Sequence, residues 1–74
     1  KNELLEIAAA ALKVDSKDIK DNFKELPEIN ACYFWVPGRG GISVIVNENG
    51  EKLSATSRVS LERHIEAFKN GKRN

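Results

Sequence analysis

Apolar residues near the start of the chain recur every three or four positions. The recurring positions are Leu4, Ile7, Ala8, Ala11 and Leu12. This spacing gathers them on one side of a helix. Asn2 is an acceptable N-cap, and Glu3 and Glu6 suit the positive end of the helix dipole. The pattern therefore predicts an amphipathic helix that ends before Val14.

A second helical pattern follows this break. Its apolar positions, at i, i+4 and i+7 among charged residues, are Ile19, Phe23 and Leu26. Asp15 or Ser16 can cap the start of such a helix, and Pro27 ends it because the residue before a proline is pushed away from helical angles. The pattern predicts a short second helix, in which Phe23 docks on another element because so short a helix is marginal alone.

From Ile29 onward the apolar period changes to two, which is typical of strands. Residues 31–36 are rich in aromatic side chains and predict the first strand. Residues 42–46 predict the second strand, and residues 52–57 the third, with Leu53 and Ala55 facing inward.

Turn residues separate these strands. Residues 37–41 contain one proline and three glycines, a composition typical of a turn. Asn49-Gly50 predicts a type I′ hairpin, in which both central residues need positive φ. The three strands therefore form an antiparallel meander.

The final segment predicts another helix. Ser60 is the N-cap, Gly71 is the residue just past the C-terminal end, and Leu61, Ile65 and Phe68 make the buried face. The element order is α-α-β-β-β-α, and 74 residues of 8.2 kDa allow one domain, residues 1–74. We predict an α+β fold with the helices packed on one face of the three-stranded antiparallel meander.

Composition narrows the classes of function. Twelve basic residues oppose eleven acidic ones, so the net charge of +1 gives no electrostatic footprint for nucleic acid or a membrane. No apolar run approaches the roughly 20 residues of a membrane span, and no signal-peptide pattern opens the chain. We expect a cytoplasmic protein that does not contact a membrane.

Residues suited to catalysis are sparse. Cys32 and His64 are the only cysteine and the only histidine, and each is more often a core residue than a member of a nucleophilic pair. The chain has no histidine cluster, no phosphate-binding Gly-Lys-Ser/Thr loop and no nucleophile elbow. We predict no enzyme activity, no catalytic residues, no metal and no cofactor.

Tyr33, Trp35 and Arg39 are the candidate contact residues for a partner. Aromatic residues and arginine dominate protein-binding hot spots, and here they lie on one predicted strand and in the glycine-rich turn that follows it. We expect another protein as the partner. A homodimer that pairs sheet edges remains open, because small domains often need a second copy to bury enough apolar surface.

A weak RNA- or DNA-binding module is the alternative from another class. The α-β-β-β-α order is that of the double-stranded-RNA-binding domain, but such domains need lysines at the start of the last helix. Here Val59-Ser60-Leu61-Glu62 stands at that position. The residues available to this alternative are Tyr33, Trp35, Arg39, Lys69, Lys72 and Arg73. The near-zero net charge disfavours nucleic acid.

Residues 31–68 resemble small bacterial α+β proteins of the immunity protein 35 type. The features that carry the resemblance are the aromatic strand Tyr33-Phe34-Trp35, the apolar strand of residues 41–46, the polar turn Asn47-Glu48-Asn49-Gly50-Glu51, the short strand of residues 53–56 and the helix start Val59-Ser60-Leu61-Glu62. That family often has Asp where this chain has Asn47, and a proline near the start of the last helix. The resemblance implies a non-enzymatic bacterial protein that neutralises a toxin by binding it.

Overall fold

A computed structural model of the chain describes residues 2–37, 41–56 and 58–73. The first helix, α1 (Asn2–Leu12), lies where the apolar stripe predicts it. It ends in a Schellman motif, in which the Val14 N–H donates to the Ala9 carbonyl at 3.0 Å and Lys13 takes a left-handed φ of 58°. This motif satisfies the last carbonyls of the helix with a non-glycine residue in a conformation that favours glycine.

The prediction of a second helix is wrong, because a strand occupies that segment. A 3-10 turn (Ser16–Asp18) leads into β1 (Phe23–Leu26), and a second 3-10 turn (Pro27–Ile29) follows it. The helical spacing arose from residues in different environments: Ile19 is buried in the turn before β1, whereas Phe23 and Leu26 face opposite sides of the strand. A helix this short before Pro27 would be only marginally stable. Pairing with the next strand instead gives the backbone N–H and C=O groups of β1 their hydrogen bonds.

The sheet has four antiparallel strands rather than the predicted three. After β1 come β2 (Ala31–Trp35), β3 (Ser43–Asn47) and β4 (Lys52–Ala55), and they lie in the order β1-β2-β3-β4 across the sheet. The α+β class is confirmed, but the meander has four strands instead of three, and the order of helices and strands is α-β-β-β-β-α.

The β3–β4 hairpin lies where Asn49-Gly50 predicts it, but its turn differs from type I′. Gly50 has φ of 82°, whereas Asn49 is not among the described non-glycine residues with positive φ. The Gly50 N–H donates to the Asn47 carbonyl at 3.0 Å, and Asn47 Oδ1 accepts the N–H groups of Asn49 and Glu51. The side chain of Asn47 thus organises a turn in which only glycine is left-handed.

The last helix, α2 (Leu61–Lys69), confirms its predicted ends. The Ser60 hydroxyl accepts the Arg63 N–H at 3.3 Å as the N-cap. At the other end the Lys72 N–H donates to the Ala67 carbonyl, and the Gly71 N–H donates to the Phe68 carbonyl with Gly71 at φ of 91°. These two bonds form a Schellman motif with the glycine that the sequence indicates.

The two helices lie on opposite faces of the sheet, which corrects the prediction that they share one face. Val44 and Val46 of β3 pack in the core cluster that contains α1, whereas Ile45 between them packs against Phe68 of α2. All five residues of β3 are buried. Because the side chains of a strand alternate, a strand that is apolar on both sides needs cover on both sides.

Candidate functional site

The structure brings Tyr33 and Trp35 together on the face that α2 covers. Both side chains are half-buried, and their ring centroids are 5.6 Å apart with the planes tilted by 31°. Tyr33 packs at the border of the core cluster around Phe68, whereas Trp35 belongs to neither core cluster. We call Tyr33 and Trp35 the aromatic pair. It is a partly exposed ring surface fixed by a strand.

Arg39, the third predicted contact residue, lies outside the described residues. The structure does describe the base of the loop that carries it. Trp35 pairs with Ser43, and the Val36 N–H donates to the Ile42 carbonyl at 3.1 Å. Trp35 therefore lies where this loop leaves the sheet.

His64 supports the aromatic pair from beneath. Its ring is 1% exposed and meets the Tyr33 ring edge-on, with centroids 5.9 Å apart and planes at 82°. Nε2 lies 2.6 Å from the Leu53 carbonyl oxygen, which can only accept, so Nε2 carries the proton. In the neutral ring Nδ1 then accepts from the Ser43 hydroxyl, 3.5 Å away. Burial lowers the pKa of His64, against the opposing effect of the Leu53 carbonyl.

Cys32 and His64 do not form a pair. Cys32 packs in the core cluster with α1, and His64 lies on α2 beneath the other face, so the sheet separates them. Across residues 2–37, 41–56 and 58–73, no three His, Cys, Asp or Glu side chains are grouped as metal ligands would be.

Arg73, which follows α2, lies at the opposite end of the sheet from Trp35. Arg73 forms an ion pair with Glu51 next to the β3–β4 turn (3.5 Å), and its guanidinium carbon lies 3.7 Å from the centre of the Phe68 ring. It also donates to the Phe68 carbonyl at 2.7 Å. A hydrogen bond from the Asn47 amide and the nearby charge of Arg73 lower the pKa of Glu51. Arg73 thus links the C-terminal end of α2 to the β3–β4 turn.

An apolar groove that the sequence did not indicate lies on the face covered by α1. It has a volume of about 650 Å³ and runs between the first turns of α1 and strand β1. The apolar side chains that line it include Leu4, Leu5, Phe23, Cys32 and Phe34. We call it the α1 groove. Residues 23–26 form a short run between Asn22 and Pro27, which is a sequence signal for a strand. That interpretation would have placed Phe23 at a sheet edge.

Comparison with family models, with curated proteins and with solved structures finds no match for the chain. Neither helix of the described chain is long and apolar enough to cross a membrane.

Proposed function

We propose that this chain is a non-enzymatic protein-interaction domain whose contact surface is centred on Trp35 and Tyr33. The observation that carries the proposal is the position of Trp35, a large side chain that is half-exposed and outside both core clusters. Tryptophan and tyrosine are enriched among the residues that carry binding energy. A Trp that adds to neither core cluster is available for such a role.

The rigidity of this surface also supports protein binding. Trp35 is held by the backbone of β2 and by the Tyr33 ring, and Tyr33 in turn rests on the buried ring of His64. Side chains that are already ordered lose little conformational entropy when a partner covers them. Arg39 extends the proposed surface on sequence grounds, because its loop begins beside Trp35.

A protein toxin is the partner class that the resemblance to the immunity protein 35 type implies. Toxin neutralisation would require only that the domain cover a surface of its partner, without chemistry of its own. The aromatic pair is the surface that we assign to that contact.

The first test is the environment of Trp35, the only tryptophan. We expect red-shifted emission that acrylamide quenches readily. Emission typical of a fully buried indole, together with a Trp35→Phe variant that only loses stability, would remove the basis of the proposal.

The second test uses the purified chain as bait for cell lysate, with each retained protein identified by mass spectrometry. We expect one protein to be retained by the wild type and lost with Trp35→Ala. Glu6→Ala is the control, because Glu6 is an exposed residue of α1 and lies on the opposite face of the sheet from the aromatic pair. A self-associated species that retains nothing would instead favour the homodimeric alternative. Retention of nucleic acid that falls steeply with salt would favour the nucleic-acid alternative.

A further inference from the structure

The α1 groove is an uncovered part of the sheet. Adjacent strands lie about 4.8 Å apart, so four strands make a surface roughly 19 Å wide, while one helix covers only about 10 Å. Helix α1 packs mainly over β3. The β1 side of this face is consequently left open, and a helix lying over β1 would have its axis about 10 Å from that of α1, a normal distance between packed helices.

The open part is apolar. Phe23 is 42% exposed, and its ring lies 6.2 Å from that of Phe34, which is buried at the floor. Leu4 and Leu5 of α1 form the opposite wall. Contiguous apolar surface of this kind on a small protein commonly marks an interaction site.

Charged side chains border the groove unevenly. Glu25 of β1 and Glu48 of the β3–β4 turn line it as acids, and Lys20, before β1, lines it as a base. Among the described residues that line the groove, two are acids and one is a base. A partner with basic residues beside an apolar stripe would complement it.

We propose that the α1 groove docks an amphipathic α-helix of another protein, with its apolar stripe against Phe23 and Leu4 and with Lys or Arg residues facing Glu25 and Glu48. A helix over β1 would pack beside α1 at this distance and would complete the layer that α1 begins. Helices recognised in this way place residues i, i+3, i+4 and i+7 in the groove. The sheet separates this site from the aromatic pair, so it is a second surface that does not depend on the first.

The test uses three synthetic peptides of equal length. The first is a Leu/Lys peptide with a helical apolar stripe, the second has Glu in place of Lys, and the third keeps the Leu/Lys composition but has central prolines that prevent a helix. Amide chemical shifts in 15N-labelled protein locate the binding site. We expect the Leu/Lys helix to shift the amides of Leu4, Phe23 and Cys32 and to leave that of Trp35 unmoved.

Variants and a chemical probe sharpen the assignment. We expect Phe23→Asp to weaken binding of the Leu/Lys helix by about tenfold or more, and Glu48→Lys to weaken it by a few-fold, roughly the effect of one surface ion pair. Both sites are exposed, and circular dichroism checks that the variants fold. Bound peptide should also slow the reaction of the only cysteine, Cys32, with Ellman's reagent. Trp35→Ala should bind this peptide as the wild type does.

Several outcomes would overturn the inference. Equal binding of the proline peptide would indicate strand addition at the β1 edge instead of a helix. Equal binding of the acidic peptide would remove the charge argument. Concentration-dependent sedimentation that Phe23→Asp abolishes would identify the occupant as a second copy of this chain. If Trp35→Ala lost binding of the Leu/Lys helix, the contact would lie at the aromatic pair and not in the α1 groove. The bait experiment tests the aromatic pair separately, so the two proposals can fail independently.

Discussion

The two faces of the sheet are built differently around the same central strand. On the face of α1, the small side chains of Ala8 and Ala9 let the helix lie close to Val44 and Val46, and the contact is apolar throughout. On the face of α2, a bulky Phe68 is combined with a buried histidine that is bonded to the sheet. The buried cluster on the first face consists of apolar side chains, whereas the second face also contains a residue whose protonation state affects stability.

The largest effect that tests this comparison is the loss of an aromatic anchor. We expect Phe68→Ala to lower the free energy of unfolding by about 3–5 kcal/mol, because it leaves a cavity where α2 meets Ile45. This loss is a large part of the total free energy of unfolding, which is roughly 4–11 kcal/mol for a domain of this size. Urea denaturation followed by circular dichroism measures the change.

Phe23→Ala is the matched control, since it removes the same side chain from an exposed site. We expect this variant to lower the free energy of unfolding by about 1 kcal/mol or less. Comparable losses in the two variants would mean that the exposed ring of Phe23 contributes to folding as a core residue does.

The next effect is the pH dependence of the α2 face. The pKa of His64 is lowered in the folded state, so the unfolded chain binds a proton at higher pH than the folded chain. The free energy of unfolding should fall as the pH drops below the ordinary value of 6.5, and should go on falling until the lowered pKa is passed. The chain has no other histidine. Glu51, whose pKa is also lowered, loses its contribution only below its ordinary value of 4.5.

Urea titrations at about pH 5 and about pH 8 measure this dependence, and His64→Leu is the comparison variant. We expect His64→Leu to cost about 1–3 kcal/mol at neutral pH, because the Leu53 carbonyl and the Ser43 hydroxyl lose a buried partner. It should also flatten the dependence between these pH values. An unchanged slope in the variant would assign the proton to another group.

The smallest expected changes in stability come from the left-handed residues that follow the C-terminal ends of the two helices. Both helices close with the same backbone motif, but α1 uses Lys13 at φ of 58° and α2 uses Gly71 at φ of 91°. Lys13→Gly should stabilise the fold by about 0.5–1 kcal/mol, and Gly71→Ala should destabilise it by about 1 kcal/mol. A Cβ at Gly71 would meet nothing within 4 Å, so the cost would come from the backbone alone. Thermal melts of both variants measure the opposite signs, and shifts of the same sign would contradict this account.

The elements with strong local signals could be predicted from the sequence. Helix α1 carries a long apolar stripe, α2 carries a cap at Ser60 and a glycine after its last turn, and β2 and β3 carry dense aromatic or β-branched residues. Tyr33 and Trp35 could be named as neighbours on one face for the same reason, since alternation in a strand needs no knowledge of its partners.

Strand β1 could not be predicted in this way. Residues 19–26 fit a helical period by coincidence, and their true structure depends on β2, which supplies the pairing partners of Phe23 and Leu26. The α1 groove was therefore not predicted either, because Phe23 lines it from the edge strand beside β2.

The amino-acid sequence by itself determined the α+β class, the C-terminal end of α1, both ends of α2 and the placement of Tyr33 and Trp35 on one side of a strand, because these depend on residues close together in the chain. Only the tertiary structure decided that the sheet has a fourth strand, that the helices cover opposite faces and that His64 lies under Tyr33 while Cys32 lies on the other side. Local periodicity tells which side chains share a face. It does not tell what covers that face, since the cover comes from residues distant in the chain.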